Sequence, residues 1–419
     1  MGGLPVPGPF TSARAVPGRP GRRRARRGAL ASIALLVLLG ALACGPAAPA
    51  PAQPAAPAQP AAAGAAAPSA ASKPAGWDEL VAAARQEGAV SVMGPPGQEY
   101  RRVLVDDFQQ AYPGIKVEFV SGRIGDQWTR LQAERAAGRY TFDVLIGGST
   151  TVMATMKPDN ATPPLSPLLV LPEVTDESAW LDNHLWWVDA QEPYTALSFQ
   201  GNVQLIVVYN KNLVDPAQFR SYWDLLDPKW KGKMVATDVR GGVIGGVSSR
   251  FMFKSPDLGP PFLERLYSDP DLTVTADQRQ LIDWLAQGQF ALGLFASPAA
   301  VLVAIEQGLP LDFVPGDQWK EGAALGPSSG AVNLFAPAPH PNAAKAFVNW
   351  LLSRDGQLAW QRQSNAPSLR TDIPKDGVYP ALVPKPGVHY VNGGTEEFAY
   401  PATSVIADLI TQAMDKARR

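Results

Sequence analysis

Residues 88–150 decide the fold class, and they read GAVSVMGPPGQEYRRVLVDDFQQAYPGIKVEFVSGRIGDQWTRLQAERAAGRYTFDVLIGGST. Three short apolar runs, at 89–93, 115–120 and 142–146, predict strands, and the amphipathic stretches between them predict helices. Strands that alternate with helices favour a parallel sheet with right-handed crossovers. The residues therefore indicate an α/β protein.

The same alternation returns after Asn202, so we expect a second α/β unit. Its predicted strands lie at 203–209, 234–237, 290–295 and 311–314, and its clearest helix at 277–286. A further strand at 331–335 and a helix at 342–352 follow. A chain of 419 residues is also long enough for two domains of ordinary size.

The ends of the first three strands are candidate ligand-binding loops. In parallel sheets, ligands bind beyond the carboxyl ends of the strands. Here those ends are rich in Gly, Ser and Pro, so backbone N–H groups can approach a ligand closely. The candidates in this region are Gly94, Pro95, Arg123, Gly148, Ser149 and Thr150.

Candidates in the second unit come from the starts of helices. Arg240, Gly241 and Gly242 lie between a strand and a predicted helix, where free N–H groups and a guanidinium favour an anion. A surface ion pair is the alternative role for either Arg123 or Arg240. Ser297 offers a hydroxyl at a helix start, or a plain N-cap, and Asn202 at the junction of the two units completes the set.

Composition excludes several classes of protein. Hydrophobic residues make up 46% and charged residues 18%, which provides a large core and excludes global disorder. The whole chain carries −1 and residues 1–44 contribute +7, which leaves −8 for the remainder and argues against nucleic-acid binding. One Cys and three His argue against a disulfide framework and a Cys- or His-rich metal centre. We predict no cofactor.

The amino terminus has the pattern of an export signal. Seven Arg precede an apolar run at 29–43, which is too short to span a bilayer and is typical of a secretory signal peptide over residues 1–43. Cys44 follows Ala41-Leu42-Ala43 and precedes Gly45, an arrangement that resembles a bacterial lipobox. We therefore predict an acylated Cys44 that anchors the protein to the outer face of the cell membrane. An incidental or buried Cys is the alternative.

Residues 44–76 follow as a linker rich in Pro and Ala. Such a segment cannot bury enough apolar surface to offset its chain entropy, and its prolines favour an extended chain. The sequence therefore predicts a spacer between the lipid anchor and a globular body.

Four phrases resemble the extracellular solute-binding proteins of ABC importers, and in particular the branch that contains the ferric-iron-binding periplasmic proteins. Their order and spacing carry the resemblance, which covers roughly residues 77–372. The phrases are VVYNKNLV (207–214), DLLDPKWKGKMVATD (224–238), HPNAAKAFVNWLLS (340–353) and SLRTD (368–372).

The resemblance implies a type II periplasmic-binding-protein fold, in which two α/β lobes close on a ligand about a hinge. It places the amino-terminal lobe at 77–200 with 328–354, and the carboxy-terminal lobe at 203–326. Helices in 355–419 would pack on the lobes. It also implies a monomer that delivers its solute to a membrane permease. The ATPase would be a separate chain, and no phosphate-binding P-loop motif occurs here.

The sequence departs from the ferric-binding branch at the metal ligands. Those relatives hold iron with adjacent Tyr phenolates together with His and carboxylate, since hard cations favour oxygen donors. This chain has no Tyr-Tyr pair, and residues 290–308 contain no Tyr. We therefore expect a small anionic solute and no protein-bound metal, with ferric iron or an iron complex as the alternative.

An enzyme is the competing class. Gly326-Pro327-Ser328-Ser329-Gly330 matches the G-x-S-x-G motif of hydrolases, which needs a strand before the Ser and a helix after it. Residues 321–324 predict a loop, and a strand follows the motif, so the sequence favours a protein that is not an enzyme. A sensory or adhesive lipoprotein of the same fold is the third possibility.

Overall fold

In the computed structural model, the described residues are 74–242, 244–399 and 403–418. The predicted signal peptide, the lipidated Cys44 and nearly all of the predicted linker lie outside these ranges. Among the described helices, none combines the length and the apolar character needed to cross a membrane.

The described strands fall into three sheets. They are β1 (Ala89–Gly94), β2 (Lys116–Ser121), β3 (Val144–Gly147), β4 (Ala196–Ser198), β5 (Asn202–Val203), β6 (Val207–Asn210), β7 (Met234–Thr237), β8 (Thr273–Thr275), β9 (Leu292–Leu294), β10 (Leu311–Phe313), β11 (Ala323–Gly326), β12 (Ala331–Leu334) and β13 (Tyr390–Asn392).

The α-helices cover the sheets. They are α1 (Trp77–Glu87), α2 (Gln98–Arg101), α3 (Phe108–Ala111), α4 (Ile124–Ala136), α5 (Ser149–Thr155), α6 (Pro172–Thr175), α7 (Gly246–Lys254), α8 (Gly259–Ser268), α9 (Gln278–Ala286), α10 (Pro298–Glu306), α11 (Pro341–Leu352), α12 (Arg354–Ser364), α13 (Glu396–Ala399) and α14 (Thr403–Ala417). A π-helical stretch, Arg102–Asp107, joins α2 to α3.

The first sheet has the strand order β2-β1-β3-β12-β4. Strands β1, β2 and β3 are parallel, with Gly94 opposite Ser121, and β12 runs antiparallel with Ala331 opposite Gly147. The carboxyl ends of the three parallel strands and the start of β12 therefore meet at one edge. Val90 and Val92 are fully buried, and the core above them includes Phe108.

The second sheet has the order β10-β6-β9-β7-β8, with β7 parallel to both β8 and β9. Its core is closed by α8 and by the carboxy-terminal helix α14, whose Ile406 and Ile410 are buried. The apolar spacing that predicts a helix at the end of the chain is therefore the spacing of a core-facing helix.

A third, small sheet of order β13-β11-β5 carries the connections between the other two. Strand β5 pairs with β11 and then leads into β6 of the second sheet, while β11 leads through a turn into β12 of the first. The single strand predicted at 203–209 is wrong for this reason: the chain changes sheets between Val203 and Val207. The boundaries of the two lobes remain a prediction.

Candidate functional site

A cavity of about 460 Å³ opens at the edge where β1, β2 and β3 end. Four backbone segments form its walls: Pro95 and Pro96 after β1, residues 122–125 after β2, Gly147 and Gly148 at the end of β3, and Ser328 and Ser329 before β12. Pro95, Arg123 and Gly148 are thus predicted candidates that the structure brings together. Ligand pockets in proteins have volumes of roughly 300–1,000 Å³, so the cavity suits a small solute.

Gly94 supports this cavity and is not among the residues that line it. It is buried, and a Cβ atom placed on it would lie 2.6 Å from the Phe119 ring. Its carbonyl accepts a hydrogen bond of 2.9 Å from Gly122 N–H, which continues the pairing of β1 and β2 by one residue. Gly94, a predicted ligand-binding residue, therefore lies behind the wall of this cavity, where its missing side chain allows the two strands to pack closely.

Two charged side chains of opposite sign line the cavity. Arg123 immediately precedes α4 and Glu99 lies in α2, and both are exposed. Neither one has a hydrogen-bond or ion-pair partner within residues 74–242, 244–399 and 403–418. An exposed, unpaired guanidinium beside open backbone loops is the chemistry that the sequence predicted for an anion site.

Tyr100 is linked through a chain of side chains to Asn202, at the junction of the two α/β units. Burial raises the pKa of its hydroxyl, while a hydrogen bond to the Ser329 side chain opposes that rise. Its ring lies 5.2 Å from the ring of Trp360, whose Nε1 donates to Gln200 Oε1 at 2.8 Å. Gln200 in turn donates to Asn202 Oδ1 at 3.2 Å. Asn202 is not among the lining residues. These side chains link it to Tyr100, and its pairing with Gly326 links it to the turn that carries Ser328.

The turn that carries Ser328 excludes the geometry of a hydrolase elbow. Gly330 N–H donates to Pro327 O at 2.7 Å, and Ser328 has a φ of 48°. Strand β11 precedes the turn, so the loop predicted at 321–324 is wrong in its second half. Strand β12 follows the turn, where an elbow needs a helix.

Ser149 does not present its hydroxyl to the cavity. It begins α5 and is 2% exposed, and its Oγ donates to Gly394 O at 2.8 Å. That carbonyl belongs to the carboxy-terminal part of the chain, 245 residues later. Thr150 follows in the first turn of α5 and is not among the lining residues. Neither residue is placed as the sequence predicted.

Arg240, Gly241 and Gly242 are not available as predicted either. The Arg240 guanidinium donates to both oxygens of Asp238, at 2.8 and 2.6 Å, and this pairing lowers the pKa of Asp238 and raises that of Arg240. A Cβ atom on Gly242 would lie 2.7 Å from Thr403 Cγ2, at the start of α14. Arg240 therefore forms the ion pair given as the alternative, and the loop packs against the start of α14.

Ser297 lies at the start of α10 but makes no side-chain cap. Its backbone N–H donates to Gln278 Oε1 at 2.8 Å, and the amide of Gln278 donates to Thr237 Oγ1 at 2.8 Å. Gln278 thus joins the ends of β7 and β9. Neither Ser297 nor any of residues 240–242 lines the cavity.

Sequence reasoning missed several residues that line the cavity, namely Pro96, Glu99, Tyr100 and Ser329. Glu99 and Tyr100 could have been found from the sequence, because they follow Gly97 at the start of a helix, directly after the Gly/Pro-rich loop at the end of β1. Ser328 and Ser329 were considered only as a hydrolase motif.

Residues 92–358 match the family model described as bacterial extracellular solute-binding protein. The chain belongs to this family. The family prediction is therefore confirmed, and the solute-binding protein works outside the cytoplasm. A search of the curated proteins finds no match to the sequence.

Solved structures share the fold of this solute-binding protein. The ferric iron-binding protein A of Mannheimia haemolytica, in an open conformation, aligns with a TM-score of 0.59 and 14% identity over 78% of this chain and 98% of that one. A Trichodesmium protein (IdiA, FutA) in complex with iron and citrate aligns with a TM-score of 0.57 and 18% identity, over 79% of this chain and 99% of that one. AfuA of Actinobacillus pleuropneumoniae, with fructose-6-phosphate bound, aligns with a TM-score of 0.52 and 18% identity, over 79% of this chain and 99% of that one.

These similarities confirm the predicted two-lobe type II periplasmic-binding-protein fold. At such identities they concern the fold alone. Within the described part of the chain, no group of three or more His, Cys, Asp or Glu side chains is placed to hold a metal ion.

Proposed function

We propose that this solute-binding protein captures a small anionic solute, one that bears phosphate or carboxylate, in the cavity at the ends of β1–β3. The observation that carries the proposal is the unpaired Arg123 guanidinium among the open backbone loops that line this cavity. A charge-assisted hydrogen bond to a guanidinium supplies more free energy than a neutral one, about 1.5–3 kcal/mol.

The remaining parts of the proposal concern delivery. The protein acts as a monomer, held to the membrane by lipid on Cys44 and by the spacer at 44–76, and it passes its solute to the permease of an ABC importer. Two acyl chains anchor a protein far more firmly than one. The solute is released chemically unchanged, a proposal supported by the strand–turn–strand geometry around Ser328.

Ferric iron or an iron complex is the second candidate. Two of the solved structures above are described as a ferric iron-binding protein and as a complex with iron and citrate. The absence of a Tyr-Tyr pair from the sequence counts against direct iron coordination by adjacent phenolates.

Replacing Arg123 with Gln tests the proposal. Calorimetry of the wild-type protein with a panel of carboxylates, phosphonates, ferric citrate and neutral sugars should identify an anionic solute. The Arg123→Gln variant should bind it about 10- to 100-fold more weakly, because one charge-assisted contact is lost.

Arg101→Gln is the matched control, because Arg101 is exposed and does not line the cavity. This substitution should leave the affinity within about twofold of the wild-type value. Tight binding of a neutral sugar alone would contradict the anion proposal. Binding of ferric citrate alone, with no loss in the Arg123→Gln variant, would favour the iron alternative.

A further inference from the structure

The cavity is lined by one positive and one negative side chain, and the presence of both charges limits what can bind there. Arg123 and Glu99 both line it, both are exposed, and neither is neutralised by another described residue. The other polar side chains of the lining, Tyr100, Ser328 and Ser329, are hydroxyls. Burial raises the pKa of the Tyr100 hydroxyl, so it stays protonated at neutral pH.

A solute with anionic groups alone would satisfy only part of this lining. Its charge would be attracted to Arg123 and repelled by Glu99, and in a partly enclosed cavity such charges are less screened than in open solvent. A carboxylate side chain accepts hydrogen bonds and donates none. Glu99 is therefore complementary to a donor on the solute.

We propose that the solute carries two kinds of group: an anionic group that faces Arg123 and a hydrogen-bond donor, ammonium or hydroxyl, that faces Glu99. This inference rests on the proposed function and narrows its solute class. Phosphate or carboxylate alone would then be a poor ligand, and an amino acid or a hydroxylated phosphate ester a good one.

Matched pairs of compounds test the inference by calorimetry. 5-Aminovalerate is compared with glutarate, in which a second carboxylate replaces the ammonium group. Glycerol 3-phosphate is compared with propyl phosphate, which lacks the two hydroxyls. The member with the donor should bind at least about tenfold more tightly. The Glu99→Gln variant should bind the compound with the donor severalfold more weakly and bind glutarate or propyl phosphate more tightly. The difference in affinity within each pair should then largely disappear. The better of the two donor compounds identifies ammonium or hydroxyl.

The outcomes separate this inference from the proposed function. If the compounds without a donor bind as tightly as their partners, or if Glu99→Gln leaves the preference unchanged, the inference is wrong while anion capture stands. If none of the four compounds binds and Arg123→Gln changes the affinity for no member of the wider panel, anion capture itself fails.

A second, independent observation concerns residues 393–398, which we name the strap. The strap leaves β13 and is joined to α5 and its neighbours by three polar contacts. Ser149 Oγ donates to Gly394 O at 2.8 Å, Lys157 Nζ lies 2.6 Å from Glu396 Oε2, and Glu396 N–H donates to Val188 O at 2.8 Å. Lys157 also pairs with the buried Asp189 at 3.0 Å, so it would keep a partner if Glu396 left.

The other side of the strap is held by apolar packing on the second sheet. Phe398 is 4% exposed within the core that α8 and α14 close, and Lys254 Nζ donates to Glu397 O at 2.5 Å. A Cβ atom on Gly393 would lie 2.5 Å from Val247 in α7, so this glycine is needed for the close approach.

We infer that the strap is a releasable tie between the two lobes. When the lobes separate, it stays with the second sheet, because its contacts there are buried and apolar, and it detaches from α5, because its contacts there are a few polar groups. Opening then exposes the Ser149 hydroxyl at the edge where the cavity lies.

Charge reversal at Glu396 tests the strap by hydrogen exchange. Glu396→Lys places two lysines together, so the backbone amides of 390–398 should exchange about tenfold faster, while α14 keeps its protection. X-ray scattering should show a larger radius of gyration. Glu397→Lys is the matched control, since Glu397 is exposed and has no ion-pair partner among the described residues.

Two results would contradict the inference that the strap is a releasable tie. One is unchanged exchange and scattering in the Glu396→Lys variant. The other is a parallel loss of protection in α14, which would mean that the segment belongs to the core of the second sheet and does not act as a separate tie. A melting temperature within a few degrees of the wild-type value shows that the variant is folded.

Discussion

Replacing Arg370 with Met is expected to lower the free energy of unfolding by about 3–5 kcal/mol. The side chain is 1% exposed and forms two hydrogen bonds to Asp372, at 2.9 and 2.8 Å. It also donates to the carbonyls of Glu173 and Leu352, at 2.9 and 3.1 Å, and its guanidinium lies 5.3 Å from the Trp180 ring. Met would fill part of the volume but leave the carbonyls and Asp372 without their donor.

Urea denaturation followed by tryptophan fluorescence measures this effect. Arg370→Lys should restore only part of the stability, because an ammonium cannot reproduce the planar fork of donors. Arg265→Met is the control: its ion pair with Asp269 is exposed, so its loss should cost under about 1 kcal/mol. Equal costs for Arg370→Met and Arg265→Met would contradict the assigned role.

Replacing Asp143 with Ala should cost about 2–5 kcal/mol of unfolding free energy. The carboxylate is fully buried just before β3. It accepts hydrogen bonds from Ser91 N–H at 2.7 Å and from His340 N–H and Nδ1 at 2.6 and 2.8 Å. The substitution leaves the buried Ser91 N–H and the partly buried His340 donors without an acceptor, and it disconnects β1 from the start of α11.

Thermal and urea unfolding would quantify the loss, with Asp106→Ala as the control because Asp106 is exposed and has no ion-pair partner within the described ranges. Asp143 lies at the amino end of β3 and the cavity at its carboxyl end. Solute affinity measured well below the melting temperature should therefore stay within about twofold. An Asp143→Ala variant as stable as the wild type would show that the structural account of the carboxylate is wrong. A folded variant that no longer binds solute would show that Asp143 also acts on the cavity.

The elements of the first sheet could be predicted because their signals are local. Strand β1, helix α1 and helix α4 follow from apolar periodicity over a few residues and from a helix-ending Gly88. The break between β5 and β6 could not be predicted, since residues 203–209 are almost uniformly apolar and each half is buried in a different sheet. The same limit applies to β11, whose pairing with β5 and β13 makes a strand of a short Ala-rich stretch.

The candidate site also has residues that the sequence could predict and residues that it could not. Pro95, Arg123 and Gly148 were predictable, because the carboxyl ends of parallel strands meet at one edge whatever the details of packing. Whether a polar side chain is free depends on its partners. Arg240 forms an ion pair with Asp238, only two residues away. The sequence shows both residues, but only the positions of their side chains show that they are paired. His340 is a second example: it precedes Pro341 at the start of α11, and the sequence around it does not show that its ring contacts the buried Asp143.

Local sequence was enough to predict an α/β protein and its family, because period, turn residues and strand order act over short stretches of chain. It also predicts the edge of the sheet at which we propose that the solute binds. Long-range packing alone brings the Ser149 hydroxyl to Gly394 of the strap and Gly242 to the start of α14. Those contacts join segments up to 245 residues apart, and no local pattern specifies which distant group will occupy a given donor.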